Sequence, residues 1–241
     1  SDLANSIIST NSLNNQSLNY VGGFIETSAH TLNLLGTINA GRGGMWLIDP
    51  TDVIIDSTYA SSIVSGLANS DVTVSASGSI YIRSHIETNT NNSLYLKATG
   101  AIVVNGGAKI WLSTSGGTGS LYLGGQDVHL ITQSNWNGSC ANCYSSTVSG
   151  GAAGADYAAI NLGTQGAQVT GAVDIRVGGD IVIAGQTSLS NTLGVTLYSG
   201  SVVYGRNISI YGVGTSSSAM QLGWGSAVSF DMKATSATGK I

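Results

Sequence analysis

Charge is scarce in this chain. Eight Lys and Arg and twelve Asp and Glu make up 8% of 241 residues, against roughly 25% in an average soluble domain. A net charge of −4 with scattered basic residues supplies no basic footprint, which argues against binding to nucleic acid or to an anionic membrane. Proline occurs once and cysteine twice; two thiolates cannot close a four-thiolate zinc site. Glu26 and Glu87 are the only glutamates. Without paired straight-chain residues, no convincing helix of three turns is expected. No apolar run approaches the roughly 20 residues of a spanning helix. The opening residues, SDLANSIISTNS, lack the basic-then-apolar order of a signal peptide. The chain is therefore expected to be cytoplasmic, or mature and processed, or a piece of something longer.

Glycine, serine, threonine and asparagine fill the space that charge leaves. Glycine alone is 34 of 241 residues, about twice its usual share. Hydrophobic residues are 42% and the mean hydropathy is +0.21, which argues against disorder. The apolar residues alternate with period two: Val72-Thr73-Val74, Ile80-Tyr81-Ile82, Leu94-Tyr95-Leu96, Ile102-Val103-Val104, Leu121-Tyr122-Leu123, Val173-Asp174-Ile175, Ile181-Val182-Ile183 and Ile208-Ser209-Ile210. Each predicts a short strand with one apolar face.

The strand pairs recur. DVTVSASGSIYI from Asp71 and SLYLKATGAIVV from Ser93 share one layout, and SLYLGGQDVHL from Ser120 is the same unit one residue shorter. VDIRVGGDIVI from Val173 and VTLYSGSVVYGRNISI from Val195 read as looser copies. Val72 to Leu94 is 22 positions, and so is Val173 to Val195. A period near 20 built from short strands and Gly turns is the signature of a solenoid. Leucine-rich and ankyrin repeats need a helical half that is missing, so the expected fold class is all-β, a parallel β-helix of about 20–25 residues per coil with eleven or so coils. Inward Val, Ile and Leu would then stack in columns. Low charge fits, because a charge repeated on every coil would sit about 4.8 Å from its copy.

One stretch carries a family resemblance. Residues 23–56, GFIETSAHTLNLLGTINAGRGGMWLIDPTDVIID, contain Gly23, Ile25, Glu26, Ser28, Leu32, Leu34, Gly36 and Ile38, followed by Trp46, Leu47, Ile48, Asp49, Pro50, Asp52, Val53 and Ile55. This pattern resembles the filamentous haemagglutinin-like exoproteins of bacterial two-partner secretion. The Asn-Pro-Asn motifs of that family's secretion domain are missing, so the resemblance places residues 1–241 in the shaft beyond it, as a single segment of a longer chain. It implies a right-handed parallel β-helix, secreted or held at the bacterial cell surface. It also implies export through an outer-membrane β-barrel transporter, a structural and adhesive role and no catalysis in the shaft. A host or cell-surface glycan or receptor, and end-to-end or lateral self-association, are the partners it suggests.

Residues 133–158 break the repeat and are expected as a loop extension off one coil. In an exported protein Cys140 and Cys143, in C-A-N-C, are expected as a disulfide pinning that loop, with free thiols the alternative. Trp136, Tyr144 and Tyr157 form a candidate ligand-binding patch; the competing reading is a loop folded back over the flank. Asp49, Asp52 and Asp56 lie close together, but DPTDVIID lacks the Gly-spaced acidic pattern of calcium loops. Asp49-Pro50 is expected as a turn, and no metal or cofactor site is expected. His30, His85 and His129 share no metal spacing and are expected to be solvated or locally bonded. Four sequons, at Asn15, Asn91, Asn137 and Asn207, match the glycosylation pattern at a density that chance would produce.

Two other readings follow from the same residues. A polysaccharide-processing β-helix enzyme would need carboxylates gathered from adjacent coils. Here Glu87, Asp127, Asp174 and Asp180 are the shaft candidates, without an evident cluster. The stalk of a contact-dependent toxin would differ from an adhesin only in sequence beyond this segment. An ice-binding solenoid would need a sustained face of outward Thr, which is not seen.

Overall fold

The computed structural model describes residues 7–9, 22–30, 32, 34, 37–125, 158–162, 171–186, 193–213, 220–224 and 231–234. Twenty short strands and one helix follow one another. They begin with β1 (Ile7–Ser9), β2 (Phe24–Ala29), β3 (Thr37–Asn39), β4 (Met45–Pro50), β5 (Val53–Ile55), α1 (Ser57–Leu67), β6 (Asp71–Ala76), β7 (Ile80–Ile82) and β8 (Ile86–Glu87). They continue through β9 (Leu94–Ala98), β10 (Ile102–Val104), β11 (Lys109–Trp111), β12 (Leu121–Gly125), β13 (Ala158–Leu162), β14 (Asp174–Arg176) and β15 (Ile181–Gln186). The last are β16 (Leu193–Tyr198), β17 (Val202–Gly205), β18 (Ile208–Val213), β19 (Met220–Trp224) and β20 (Asp231–Ala234).

All pairings among these strands are parallel. They build a seven-stranded sheet, β18-β15-β12-β9-β6-β4-β2, a six-stranded sheet, β19-β16-β13-β10-β7-β5, and a five-stranded sheet, β20-β17-β14-β11-β8, beside the separate pair β1-β3. From β6 onward the chain visits the three large sheets in strict rotation, so each strand from β9 on pairs with the strand three before it, while β6 and β7 pair back to β4 and β5. Purely parallel sheets need long crossovers. Here each crossover is the passage through the other two sheets.

Alternation sets the interior. In the seven-stranded sheet Ile25, Trp46, Val72, Leu94, Leu121, Ile181 and Ile208 fall in register and all are buried. In the six-stranded sheet Val53, Ile80, Ile102, Ile160 and Val195 align, as do Ile55, Ile82, Val104, Leu162 and Leu197. The five-stranded sheet has three-residue central strands and therefore one inward column, Ile86, Ile110, Ile175 and Val203. These columns meet in one continuous core. Branched aliphatic side chains pack well against copies of themselves at a rung spacing of about 4.8 Å, which is why alternation was readable in the sequence.

The rungs are less regular than a fixed period. Val72 lies beside Leu94, 22 residues on, as the spacing predicts. Phe24 lies beside Met45, Met45 beside Asp71 and Leu94 beside Leu121, steps that range from 21 to 27. Val173 and Val195 do not correspond: Val173 immediately precedes β14 of the five-stranded sheet, while Val195 sits in β16 of the six-stranded one. The copies beginning at Val173 and Val195 are therefore out of phase with those at Asp71 and Ser93. Turn residues shift the phase without altering the alternation, so period two alone cannot say which sheet a strand joins. Among the described residues the longest sheet has seven strands, against the eleven or so coils expected for the whole chain. One reason is the span between β12 and β15, where Leu121 pairs with Ile181, sixty positions later.

Helix α1 corrects the expectation that no three-turn helix exists. Its sequence, STYASSIVSGL, is a weak helix former, and tertiary packing decides the matter. Asp56 caps it, with Oδ1 accepting from the Tyr59 N–H at 2.9 Å. Tyr59, Ala60, Ile63, Gly66 and Leu67 form the buried stripe. The helix packs on β3, β5, β6 and β8, lying between β3 and β8 where the rotation would place a strand. Ser62 Oγ donates to Leu34 O at 2.9 Å on one side, and Thr90 Oγ1 and Asn92 Nδ2 donate to Leu67 O at 2.6 and 2.9 Å on the other. Gly66 lets the helix approach the buried Trp46: a Cβ there would come within 2.6 Å of the indole ring.

Asp49-Pro50 is not a turn. Both residues close β4, and the bend falls at Thr51 and Asp52. Proline is tolerated because β6 pairs with β4 only as far as Ile48.

Candidate functional site

The corners between strands are built from polar side chains that serve the neighbouring strand. Ser93 N donates to Asp71 Oδ1 at 2.8 Å, Ser120 N to Ser93 Oγ at 3.2 Å, and Asp180 N to Ser120 Oγ at 2.9 Å. Asp52 Oδ1 likewise accepts from Ser79 N at 2.7 Å, and Ser79 Oγ from Ala101 N at 3.1 Å. These groups satisfy backbone donors at strand starts. Asp52 and Asp56 are thus engaged in corner and cap, and Asp49 is exposed. The family-pattern residues of β4 are structural: Trp46 and Ile48 are wholly buried, and Trp46 Nε1 donates to Thr27 Oγ1 at 3.0 Å.

The outward faces of the three sheets differ. On the seven-stranded sheet Tyr95 and Tyr122 stack at 4.6 Å with rings 5° apart, and with Val182 they form a second apolar cluster. Burial pushes both hydroxyls up, the Tyr122 hydroxyl furthest. Lys97, two residues after Tyr95, is brought down to about 8 by burial. On the six-stranded sheet the outward Val103 and Thr196 are wholly buried.

The five-stranded sheet keeps its charge at the surface. Of its outward positions, β8 gives Glu87, β11 gives Lys109 and Trp111, β14 gives Asp174 and Arg176, and β17 gives Val202 and Tyr204. Glu87, Trp111, Arg176 and Tyr204 form one column and Lys109, Asp174 and Val202 the other. Lys109 Nζ lies 4.5 Å from the Trp111 ring centre and 3.4 Å from Glu87. Arg176 donates through Nε and Nη2 to both oxygens of Asp174, at 2.8 and 3.0 Å. Its guanidinium also lies 5.0 Å from the Trp111 ring and 5.3 Å from the Tyr204 ring. Bidentate pairing and two aromatic contacts fix this arginine far more firmly than an isolated surface pair would.

A search of known proteins gives nothing to set beside this geometry. The chain matches no family model, no curated protein and no solved structure.

A cleft of about 510 Å³ lies beside the start of α1, lined by His30, Leu32, Pro50, Ile54, Asp56 and Tyr59 among others. Most of its polar groups are engaged, but the buried Tyr59 hydroxyl has no hydrogen-bond partner within the protein. His30 Nδ1 is 2.9 Å from Thr51 Oγ1, and Asp52 and Asp56 hold Ser79 N and Tyr59 N. What remains is a mostly apolar hollow in which the Tyr59 hydroxyl is the unpaired polar group, without the several converging polar groups of a built ligand pocket.

Trp136, Tyr144, Tyr157, Cys140, Cys143, His129 and Asp127 lie outside the described residues. The remaining carboxylates are each held by a base. Glu87 meets Lys109, Asp174 meets Arg176, and Asp180 accepts from Arg206 Nε at 2.9 Å and Asn207 Nδ2 at 2.8 Å. His85 Nδ1 accepts from Lys109 N at 3.2 Å. Of the sequons, Asn91 is exposed and its Oδ1 accepts from Thr118, whereas Asn207 is half-buried against Asp180. The aromatic–cation face was missed because its members are spread from residue 87 to 204. The local cue, a K-I-W, D-I-R and V-V-Y series of three-residue strands, is visible only when the rungs are aligned.

Proposed function

We propose that this chain is a right-handed parallel β-helical shaft of a secreted bacterial surface filament, of the haemagglutinin-like two-partner-secretion type, with a structural and adhesive role. The observation that carries the reading is the strict rotation of strands through three parallel sheets, with one apolar core shared by all. Such a chain can add one rung at a time as it emerges from a transporter, because each rung needs only the rung before it. Low charge and Gly- and Ser-rich corners suit a passenger that stays unfolded until export. The pattern of residues 23–56 supports the family assignment, and the loop at 133–158, with Trp136, Tyr144 and Tyr157, is the proposed receptor- or glycan-binding element. The segment carries no catalysis in this reading, since Glu87, Asp174 and Asp180 are each ion-paired.

The test joins export and adhesion. Fused behind a two-partner secretion domain, the chain is expected to reach the cell surface only when the cognate β-barrel transporter is present. Beads coated with the purified chain are expected to hold epithelial cells under flow, and Trp136→Ala to weaken that hold. Retention inside the cell with the transporter present, or cells washing off coated and bare beads alike, refutes the reading.

A further inference from the structure

We infer that the outward face of the five-stranded sheet docks against the same face of a second copy, with the two coil axes parallel. The three central strands of this face, β11, β14 and β17, each present two outward residues, and each such pair is chemically complementary: Lys109 with Trp111, Asp174 with Arg176, Val202 with Tyr204. Within one chain the first two pairs already meet, at 4.5 Å and at 2.8 Å. A two-fold axis parallel to the coil axis brings the first column of one copy opposite the second column of the other, rung for rung. Lysine then faces tryptophan, aspartate faces arginine, and valine faces tyrosine, each twice, as an isologous interface requires. A two-fold axis along the strands instead sets Asp174 against Asp174 and Arg176 against Arg176, which like-charge repulsion disfavours. The face therefore specifies orientation as well as partner.

The outward side chains here are half-exposed, with Lys109 and Arg176 at 39% and 42%; on the other two sheets Tyr122, Val182, Val103 and Thr196 are buried, and the outward Ile54 is exposed. Among the described residues, three of the four cation–aromatic contacts gather on this one surface. Five rungs at about 4.8 Å and three residues at about 3.3 Å make a patch of roughly 19 by 10 Å. That is well below the area of a standard interface, so the dimer is weak, salt-sensitive and strengthened by every further rung of the same kind.

Sedimentation equilibrium of the 241-residue chain reads this out. At about 0.01 M salt, where the Debye length is about 30 Å, the mean mass should climb from 24.4 kDa toward twice that value with concentration. At about 1 M salt, where screening acts within about 3 Å, it should fall back. Asp174→Arg makes the central strand doubly basic and Arg176→Asp makes it doubly acidic. Either alone sets like charges across the axis and should weaken self-association by more than about tenfold. Mixed in equal amounts, the two variants should associate with each other, and the double exchange should dimerise like the parent. Both positions face outward, and unchanged far-ultraviolet dichroism confirms that the variants are folded. A parent that stays monomeric, single variants that dimerise as well as the parent, or a mixture that stays monomeric overturns the proposal. A monomeric chain retained on an immobilised polysaccharide assigns the face to a glycan and overturns it equally. None of these readouts depends on export or on cell adhesion, so this inference and the shaft reading fail separately.

Discussion

Ile110→Ala tests the inside–outside assignment where the structure has least redundancy. Ile110 is wholly buried and is the single inward residue of β11, between Ile86 and Ile175. The substitution removes three carbon groups, about 2.4 kcal/mol of transfer free energy at roughly 0.8 kcal/mol each. The neighbouring rungs are fixed by backbone hydrogen bonds and cannot close the gap, so a cavity term is added. The sum, about 3–4 kcal/mol, lies within the usual range of about 2–5 for such truncations. Val202→Ala is the control, on an outward and half-exposed position of the same sheet, and should cost under about 1 kcal/mol. Urea unfolding followed by far-ultraviolet dichroism reads the midpoints, with the denaturant slope held as a check that the unfolded state is unchanged. Equal losses for the two variants, or a larger loss for Val202→Ala, would mean that the column does not face the core.

Three further outcomes are expected. Gly66→Ala should destabilise the fold by about 1–3 kcal/mol, because the new methyl meets a Trp46 ring with no room to move; unchanged unfolding and unchanged tryptophan fluorescence would contradict the packing. Asp56→Ala should cost about 1 kcal/mol and Asp56→Asn much less, since an amide oxygen can still accept from Tyr59 N; equal losses in thermal melts would argue against capping. Burial lowers Lys97 to about 8, so its folded value lies below its unfolded one. Its contribution to stability is full above the unfolded value, near 10.4, and is lost as the pH falls through about 8. Lys97→Met should flatten that part of the stability profile. At pH 8 an amine-reactive label read by mass spectrometry should reach Lys97 first, and a uniform labelling pattern would contradict this.

The apolar columns were legible because inward residues of a parallel stack must be branched and aliphatic, and Val72, Leu94 and Leu121 announce that directly. Sheet membership was not, since corners of different length move the next strand to a new phase, as Val173 and Val195 show. Helix α1 was hidden for a different reason: its serines bond back to the helix itself, with Ser61 Oγ on Ser57 O at 2.8 Å, and its buried stripe is short. Local composition there favours neither state, and the Trp46 and Ile63 packing decides it. The aromatic–cation face needed knowledge that residue 111 adjoins residue 176, which no local window contains.

Helix α1 also changes how the molecule carries load. At its level the backbone ladder runs through unbroken only in the seven-stranded sheet, from β2 through β4 to β6; among the described residues the six-stranded sheet ends at β5 and the five-stranded sheet at β8, with β3 on the far side of the helix. Tension along the axis must there pass through side-chain hydrogen bonds such as those at Leu67 O and Leu34 O, each weaker than a run of ladder bonds. A pulled or bent chain should yield first at this level, opening on the helix side while the β2-β4-β6 ladder holds like a door on its frame.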